Sequence, residues 1–247
     1  MVYSDFVTKK PILVVSDNPV LAEFTVKCLQ DEKLPFALFF TRNFRTGHAM
    51  RKIGAKKIDL DNQKILSEIV SRYELVISIH CTKIFPKEIF ERIPSYNVHP
   101  GFNPHNRGWF PHVFSIINKH PAGVTIHKID SVIDSGEIWK QVEVKIEMKD
   151  SSFNVYSKII ESEKELLKEF LKLIASGGSL KFAKLNKIGN YNSKEDYNKL
   201  CELDLMNRDT LKNHIDLLRA LTHPPFKNAY FIDENNEKVY VEINFNN

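Results

Sequence analysis

The sequence predicts an α/β fold, a doubly wound parallel sheet carrying a small C-terminal addition. Short apolar, β-branched runs alternate with stretches of helical periodicity through most of the chain. A Ser-Gly-Gly-Ser stretch, Ser176 to Ser179, then interrupts the pattern. Beyond it the apolar runs are shorter and Asn and Lys are prominent.

Pro11 to Val15 (PILVV) reads as a strand, Ser16 to Pro19 as a turn, and Leu21 to Leu29 as a helix, which opens a parallel-sheet unit. Phe36 to Phe40 (FALFF) is a second strand. Gln63 to Ser71 has amphipathic helical spacing, Leu75 to Ile79 (LVISI) reads as a buried strand, and Pro86 to Glu91 as a short helix. Ser95 to Val98 is the next strand, ending in a His99-Pro100-Gly101 corner. Gly108 to Lys119 reads as a helix, and Val124 to Ile129 and Ile138 to Ile146 as strands flanking the loop Asp130 to Gly136. Ser152 to Ile174 forms a long helix whose Glu161, Glu163, Lys164, Glu165, Lys168 and Glu169 read as a solvated face. After the linker, Arg208 to Leu221 is helical. Ala229 to Ile232 and Lys238 to Phe245 flank turn residues as a closing hairpin. No internal repeat or low-complexity tract is present.

Composition narrows the function. Lys and Arg number 35 against 31 Asp and Glu, a net charge of +4 that gives no reason to expect a nucleic-acid partner. The three cysteines, Cys28, Cys81 and Cys201, are far apart, so neither a zinc cluster nor a disulfide framework is expected, and no metal is assigned. The N-terminal MVYSDFVTKKPILVV lacks a signal-peptide core, and no apolar run is long enough to span a bilayer. The expectation is a cytoplasmic protein with no membrane partner.

In an open parallel sheet a ligand sits outside the carboxyl ends of the strands. The densest polar cluster, Asn97-Val98-His99-Pro100-Gly101-Phe102-Asn103-Pro104-His105-Asn106-Arg107-Gly108-Trp109, falls at such an end. Asn97 and His99 are two apart on a strand and share a face. The loop Asp130 to Gly136 supplies Asp134 as an acid or base. Singly, such residues are more often structural: a His after a strand commonly just hydrogen-bonds, and an Asp in an Asp-Ser-Gly loop commonly forms a turn.

Together, NVHPGFNPHNRGWFP and GVTIHKIDSVIDSGEI resemble the folate-dependent formyltransferase family, whose pattern is N-x-H-P, an R-G turn, and G-x-T-x-H-x-x-x-x-x-x-D-x-G. The resemblance is specific from Leu75 to Ile138 and looser elsewhere. It implies a Rossmann-like catalytic domain over residues 1–178, with residues 179–247 as a substrate-binding and dimerisation region. It also implies 10-formyltetrahydrofolate as co-substrate and catalysis by Asn97, His99 and Asp134. An amine attacks the formyl carbon. Asn97, and His99 if protonated, stabilise the oxyanion, and Asp134 holds the imidazolium and relays protons. Alternatively, His99 takes the amine proton directly. Protonation of the amine and of His99 is expected to slow the reaction below neutral pH. By the same resemblance Ile84 and Phe85, with Asp130, Val132 and Asp134, bind the folate, although Ile84 and Phe85 also read as core packing.

The acceptor must be inferred from the flanks. FNPHNRGWFP and LRALTHPPFKNAYF resemble the branch that formylates dTDP-linked amino-dideoxyhexoses for O-antigen and surface-glycan synthesis. Phe226 or Tyr230 is then a candidate to stack on thymine and Asn228 to pair with its edge. Arg107, Lys83 or His80 would meet the pyrophosphate, and Trp109 would wall the sugar; core packing or plain solvation are the alternatives for each. The 4-amino acceptor dTDP-4-amino-4,6-dideoxyglucose is favoured over its 3-amino isomer. UDP-4-amino-arabinose, glycinamide ribonucleotide and methionyl-tRNA are alternative acceptors. Rivals in other classes are a formyltetrahydrofolate hydrolase and a non-catalytic nucleotide-sugar binding module. Val239, Val241, Ile243 and Phe245 on one side of the hairpin suggest a homodimer surface or, equally, packing on their own domain.

Overall fold

The computed structural model describes residues 10–42, 46–187 and 189–246, so most of the N-terminal stretch assessed above for a leader lies outside it. β1 (Ile12–Ser16) leads to α1 (Pro19–Asp31) and β2 (Phe36–Phe40). A short α2 (Thr46–Lys52) and edge strand β3 (Lys56–Lys57) follow, then α3 (Gln63–Arg72), β4 (Leu75–Ile79), α4 (Lys87–Phe90) and β5 (Ser95–His99). Next come the two-residue β6 (Arg107–Gly108), α5 (Pro111–Asn118), β7 (Ala122–Lys128), β8 (Ile138–Val144) and the long α6 (Ser152–Ala175). The C-terminal region contributes β9 (Tyr191–Asn192), α7 (Lys194–Cys201), α8 (Leu211–Leu221) and a hairpin of β10 (Tyr230–Ile232) and β11 (Lys238–Tyr240).

Seven strands form the central sheet in the order β3-β2-β1-β4-β5-β7-β8. Every residue of β1 and β4 is buried, because helices cover both faces. Ile12 and Val14 point into one apolar layer with Leu75 and Ile77, while Leu13 and Val15 point into the other with Val76. The strands from β3 to β5 are parallel, but β7 and β8 are antiparallel to their neighbours. The short loop between β7 and β8 cannot hold a crossover helix, which a parallel return requires.

The structure revises several sequence readings. Helix α5 begins at Pro111 rather than Gly108, since Phe110 is left-handed at φ 49 and Arg107–Gly108 is strand, paired in parallel with β9. Glu163, read as part of a solvated face, is fully buried. It occupies the apolar stripe of α6 one turn from Ile159 and from Leu167. β11 ends at Tyr240, so Val241 and Ile243 do not extend a strand face; the Ile243 amide instead donates to Thr222 Oγ1 at 3.1 Å. Val239, Tyr240, Ile232 and Phe245 remain exposed. Helix α7, marked by a Ser193–Asp196 capping box, went unread because its apolar content is low.

Two features of the C-terminal region bear on the site. α8 packs against α5, and β9 braces the segment before α5, with the Trp109 amide donating to the Asn192 carbonyl at 2.9 Å. Among the described residues no helix is long and apolar enough to cross a membrane.

Candidate active site

The carboxyl ends of β1, β2, β4 and β5 open onto one large cavity of about 790 Å³. Asp17, at the end of β1, accepts from the backbone amides of Thr41, Arg42 and Thr82 and from the hydroxyls of Thr41 and Thr82, which knits the loops at the cavity mouth.

At the floor of the cavity β5 presents Asn97 and His99 on one face. Antiparallel pairing with β7 sets Asn97 opposite His127 and His99 opposite Thr125. The loop after β7 curls back so that Asp134, left-handed at φ 52, meets Asn97, His99 and His127. Asn97 Nδ2 donates to Asp134 Oδ1 at 3.1 Å, and His99 Nδ1 lies 3.5 Å from Oδ2. His127 Nε2 lies 3.5 Å from Oδ1, and the Gly108 amide donates to Oδ2 at 3.0 Å. The loop is clamped from behind: Asn103 Nδ2 donates to the Asp134 carbonyl at 2.8 Å and Arg107 Nη1 donates to the Ile133 carbonyl. Gly136 allows the loop to close, because a Cβ there would lie 1.9 Å from the Lys128 carbonyl oxygen.

The electrostatics assign proton positions. Burial pushes His99 down to about 4, outweighing the attraction of Asp134, so the ring is neutral at pH 7. Burial would raise the Asp134 carboxyl, but His99 and the Gly108 amide, both turned toward it, hold it well below the carboxylate range. An ionised Asp134 opposite Nδ1 favours the tautomer with the proton on Nδ1, leaving Nε2 as a bare acceptor. Nε2 has no hydrogen-bond partner among the described residues. The ring is thus not the protonated His99 that the sequence reading allowed as an oxyanion donor, and it would charge only as the pH falls toward about 4. His127 Nδ1 lies 2.7 Å from the Lys128 carbonyl, which can only accept, so Nδ1 carries the proton and Nε2 faces Asn97 Nδ2 at 3.4 Å.

Burial also lowers His112, on α5, to about 3. Both rings are therefore neutral when folded, whereas in the unfolded chain they bind protons near the ordinary histidine pKa of about 6.5. Between those values the unfolded state holds more protons, so the stability these groups confer at neutral pH is lost as the pH falls from about 6.5 toward 4. A His112→Phe variant should show a smaller drop in melting temperature between pH 7 and 4.5 than the parent. Parallel curves would mean that His112 protonates freely in the folded protein.

The expected folate contacts all line the cavity. Ile84 is 72% exposed and Val132 is exposed on the facing loop, apolar surface available to a flat ring, while Phe85, at 5%, also packs into the core beneath. Asp130 turns the loop, accepting from the Val132 amide at 3.0 Å and the Ser135 hydroxyl at 3.2 Å. The cavity is also lined by His80, Trp109, Phe226 and Asn228, and by Lys83, which pairs with Asp61 at 2.7 Å.

Two expected contacts do not reach the cavity. Arg107 is buried behind the loop as its clamp, so its guanidinium is not presented to a ligand. Tyr230 lies on β10, turned toward Tyr240, and its hydroxyl donates to Glu202 at 3.0 Å. The sequence reading gave no role to His127, Asn18, Arg42, His112, Tyr156 or His223, all of which line the cavity. For His127 a signal existed: it alternates with Gly123 and Thr125 on one strand. The others come from separated elements and had none. Among the described residues no group of three or more His, Cys, Asp or Glu is placed to hold a metal.

Comparison with known proteins agrees with this geometry. The Formyl transferase family matches residues 8–171, and the N-formyltransferase dimerization C-terminal domain matches residues 196–247. A dTDP-4-amino-4,6-dideoxyglucose formyltransferase of Mycobacterium tuberculosis is 46% identical over 178 residues, covering 72% of this chain and 76% of its own. A sugar N-formyltransferase from a Shewanella species superposes with a TM-score of 0.90 at 40% identity, covering 95% of this chain and 97% of the other. A 4-N formyltransferase from Francisella tularensis gives 0.88 at 38% identity, covering 96% and 98%.

Proposed function

The chain belongs to the formyl transferase family, and we propose that it transfers the formyl group of 10-formyltetrahydrofolate to the 4-amino group of dTDP-4-amino-4,6-dideoxyglucose, in the cytoplasm, for O-antigen or other surface-glycan synthesis. That it is a folate-dependent sugar N-formyltransferase follows from the family and its relatives. The observation that carries the chemistry is a neutral His99, its unpartnered Nε2 facing the cavity floor beside an ionised Asp134.

The amine nitrogen attacks the formyl carbon and the carbonyl oxygen becomes an oxyanion, which the Asn97 amide receives by turning the hydrogen now directed at His127. His99 Nε2 takes a proton from the attacking nitrogen, and Asp134 stabilises the imidazolium so formed. As the bond from carbon to the folate nitrogen breaks, His99 returns that proton to the leaving nitrogen, and the formamide is complete.

Preference for the 4-amino acceptor is supported by the named activity of the 46% identical relative and by the Francisella enzyme's description as a 4-N formyltransferase. The decisive assay is mass spectrometry of the purified protein with 10-formyltetrahydrofolate and a panel of amines. The panel holds dTDP-4-amino-4,6-dideoxyglucose, its 3-amino isomer, UDP-4-amino-arabinose and glycinamide ribonucleotide. One formyl gained on the 4-amino dTDP-sugar is the expected result. Formylation of the 3-amino isomer alone would overturn the regiochemistry, and formate release without any acceptor would make the protein a hydrolase. For the pathway role, a strain lacking the gene should lose formamido groups from its surface polysaccharide; unchanged polysaccharide would overturn it.

We also propose a homodimer through the C-terminal region, where Ile232, Val239, Tyr240 and Phe245 are exposed and the dimerization domain matches. Sedimentation at twice the 28.7 kDa chain mass is expected, and a Val239→Lys variant should fall to the monomer. A monomeric parent would remove the proposal.

A further inference from the structure

Glu163 is an ionisable side chain at 0% exposure, a position that disfavours folding unless the carboxylate is paired. Its partner is His80 Nε2, 2.8 and 2.9 Å from the two carboxylate oxygens. His80 itself carries a second cost. It sits just past the end of β4 with φ 50, a left-handed conformation that side chains with a Cβ adopt rarely outside special sites. A buried carboxylate and a strained backbone thus converge on one imidazole whose edge reaches the cavity.

The other ring nitrogen, Nδ1, faces Asn18 Nδ2 and Tyr156 Oη, each at 3.4 Å. The Asn18 amide is not free to flip. Its oxygen caps α1 by accepting from the Val20 and Leu21 amides, so its NH₂ must face His80 and Tyr156. With a carboxylate accepting at Nε2 and an oxyanion arriving at Nδ1, the ring binds as an imidazolium. Asn18 Nδ2, which donates to Tyr156 Oη at 3.2 Å, lies with His80 Nδ1 and Tyr156 Oη within 3.4 Å of one another on the cavity wall, three groups able to turn a donor toward an arriving oxyanion.

Other charges leave this role open. Of the permanent cations lining the cavity among the described residues, Arg42 lies over the Trp109 ring, 5.8 Å from its centroid, and Lys83 is paired with Asp61, while Arg107 is turned away. The lining carboxylates are Asp17, Asp130 and Asp134, and each is engaged by its own loop contacts. Tyr156 continues the wall toward His112 and His223, with ring centroids 5.0 and 5.4 Å away, and His223 in turn toward Phe226 at 6.1 Å.

We propose that Asn18, His80 and Tyr156 form the subsite for the diphosphate of the acceptor, and that Glu163 is a positioning residue that holds His80 with Nδ1 as a donor. This rests on the nucleotide-sugar reading above. Burial pushes the Glu163 carboxyl up, and its contact with His80 opposes that.

The test is calorimetric titration of the full chain with dTDP, thymidine and 5-formyltetrahydrofolate, in the parent and in three variants, and of the parent with UDP as well. His80→Asn keeps a residue that accepts the left-handed backbone but cannot bridge to Glu163. Glu163→Gln keeps an acceptor for Nε2–H and loses the charge, and Tyr156→Phe keeps the ring. The dTDP Kd should rise about thirtyfold, tenfold and fivefold respectively, in line with charge-assisted and neutral hydrogen bonds. Thymidine and the folate should bind within about twofold of the parent, as no phosphate contact is involved. Weakening of all three ligands together would make the pair a structural tie and overturn the proposal. Unchanged dTDP binding in every variant would place the diphosphate elsewhere while the acceptor reading stands. A parent that binds neither dTDP nor UDP would remove the acceptor reading and this subsite with it.

Discussion

Asp134→Asn should lower kcat by about 10³–10⁴-fold while leaving the affinity for the nucleotide sugar within a fewfold of the parent. The variant keeps the shape of the side chain, and an amide oxygen still accepts from either Asn97 Nδ2 or the Gly108 amide. What it loses is the negative charge 3.5 Å from His99 Nδ1. An amide NH₂ turned toward that nitrogen would favour the tautomer with the proton on Nε2, which removes the free lone pair that takes the amine proton. The imidazolium formed during the reaction would also lose its counter-charge inside a buried site, where such interactions are strongest. Steady-state kinetics with calorimetric binding separate the effects. A loss of nucleotide-sugar affinity as large as the loss of turnover would show that Asp134 serves to hold the loop.

The second large effect is expected at a residue with no functional group. Gly101 lies directly against the His99 ring: a Cβ added there would sit 2.4 Å from Nε2 and 2.7 Å from Cδ2, with Pro111 Cβ 3.2 Å away on the other side. Gly101→Ala therefore forces the reactive nitrogen to move, since the contact is far inside van der Waals distance. A displacement of about 1 Å at a reacting atom costs on the order of 10²-fold in rate, so kcat should fall by about that factor with folate affinity little changed. Full activity in the Ala variant would mean that another edge of the ring meets the substrate, and the base assignment to Nε2 would fall.

The strands β1, β2 and β4 were legible because each is a short, mostly apolar run in a sheet covered on both faces, whereas β5, with polar and apolar residues interleaved, was marked by the His-Pro-Gly corner that ends it. The pairing of Asn97 with His99 was legible from their separation of two on one strand. The two-residue strands β6 and β9 were not, because their only reason to exist is each other, across a long sequence separation. Glu163 was misread for a related reason. Periodicity placed it on the apolar stripe while its charge argued for solvent, and only the partner His80, far away in the chain, reconciles the two. Arg107 was assigned to an anion by its charge and its place in the FNPHNRGWFP stretch, whereas its neighbours turn it into the clamp of the Asp134 loop.

By itself the sequence determined the layered α/β architecture, the strand end that carries Asn97 and His99, and the loop that supplies Asp134, since these depend on local periodicity and on residues close together along the chain. Only the tertiary structure decided how those groups are charged, which of the expected ligand contacts face the cavity, and that α6 contributes Tyr156 to its wall and Glu163 to the buried layer behind His80. Protonation and exposure are set by burial and by neighbours brought in from distant elements, and neither is encoded at any single position.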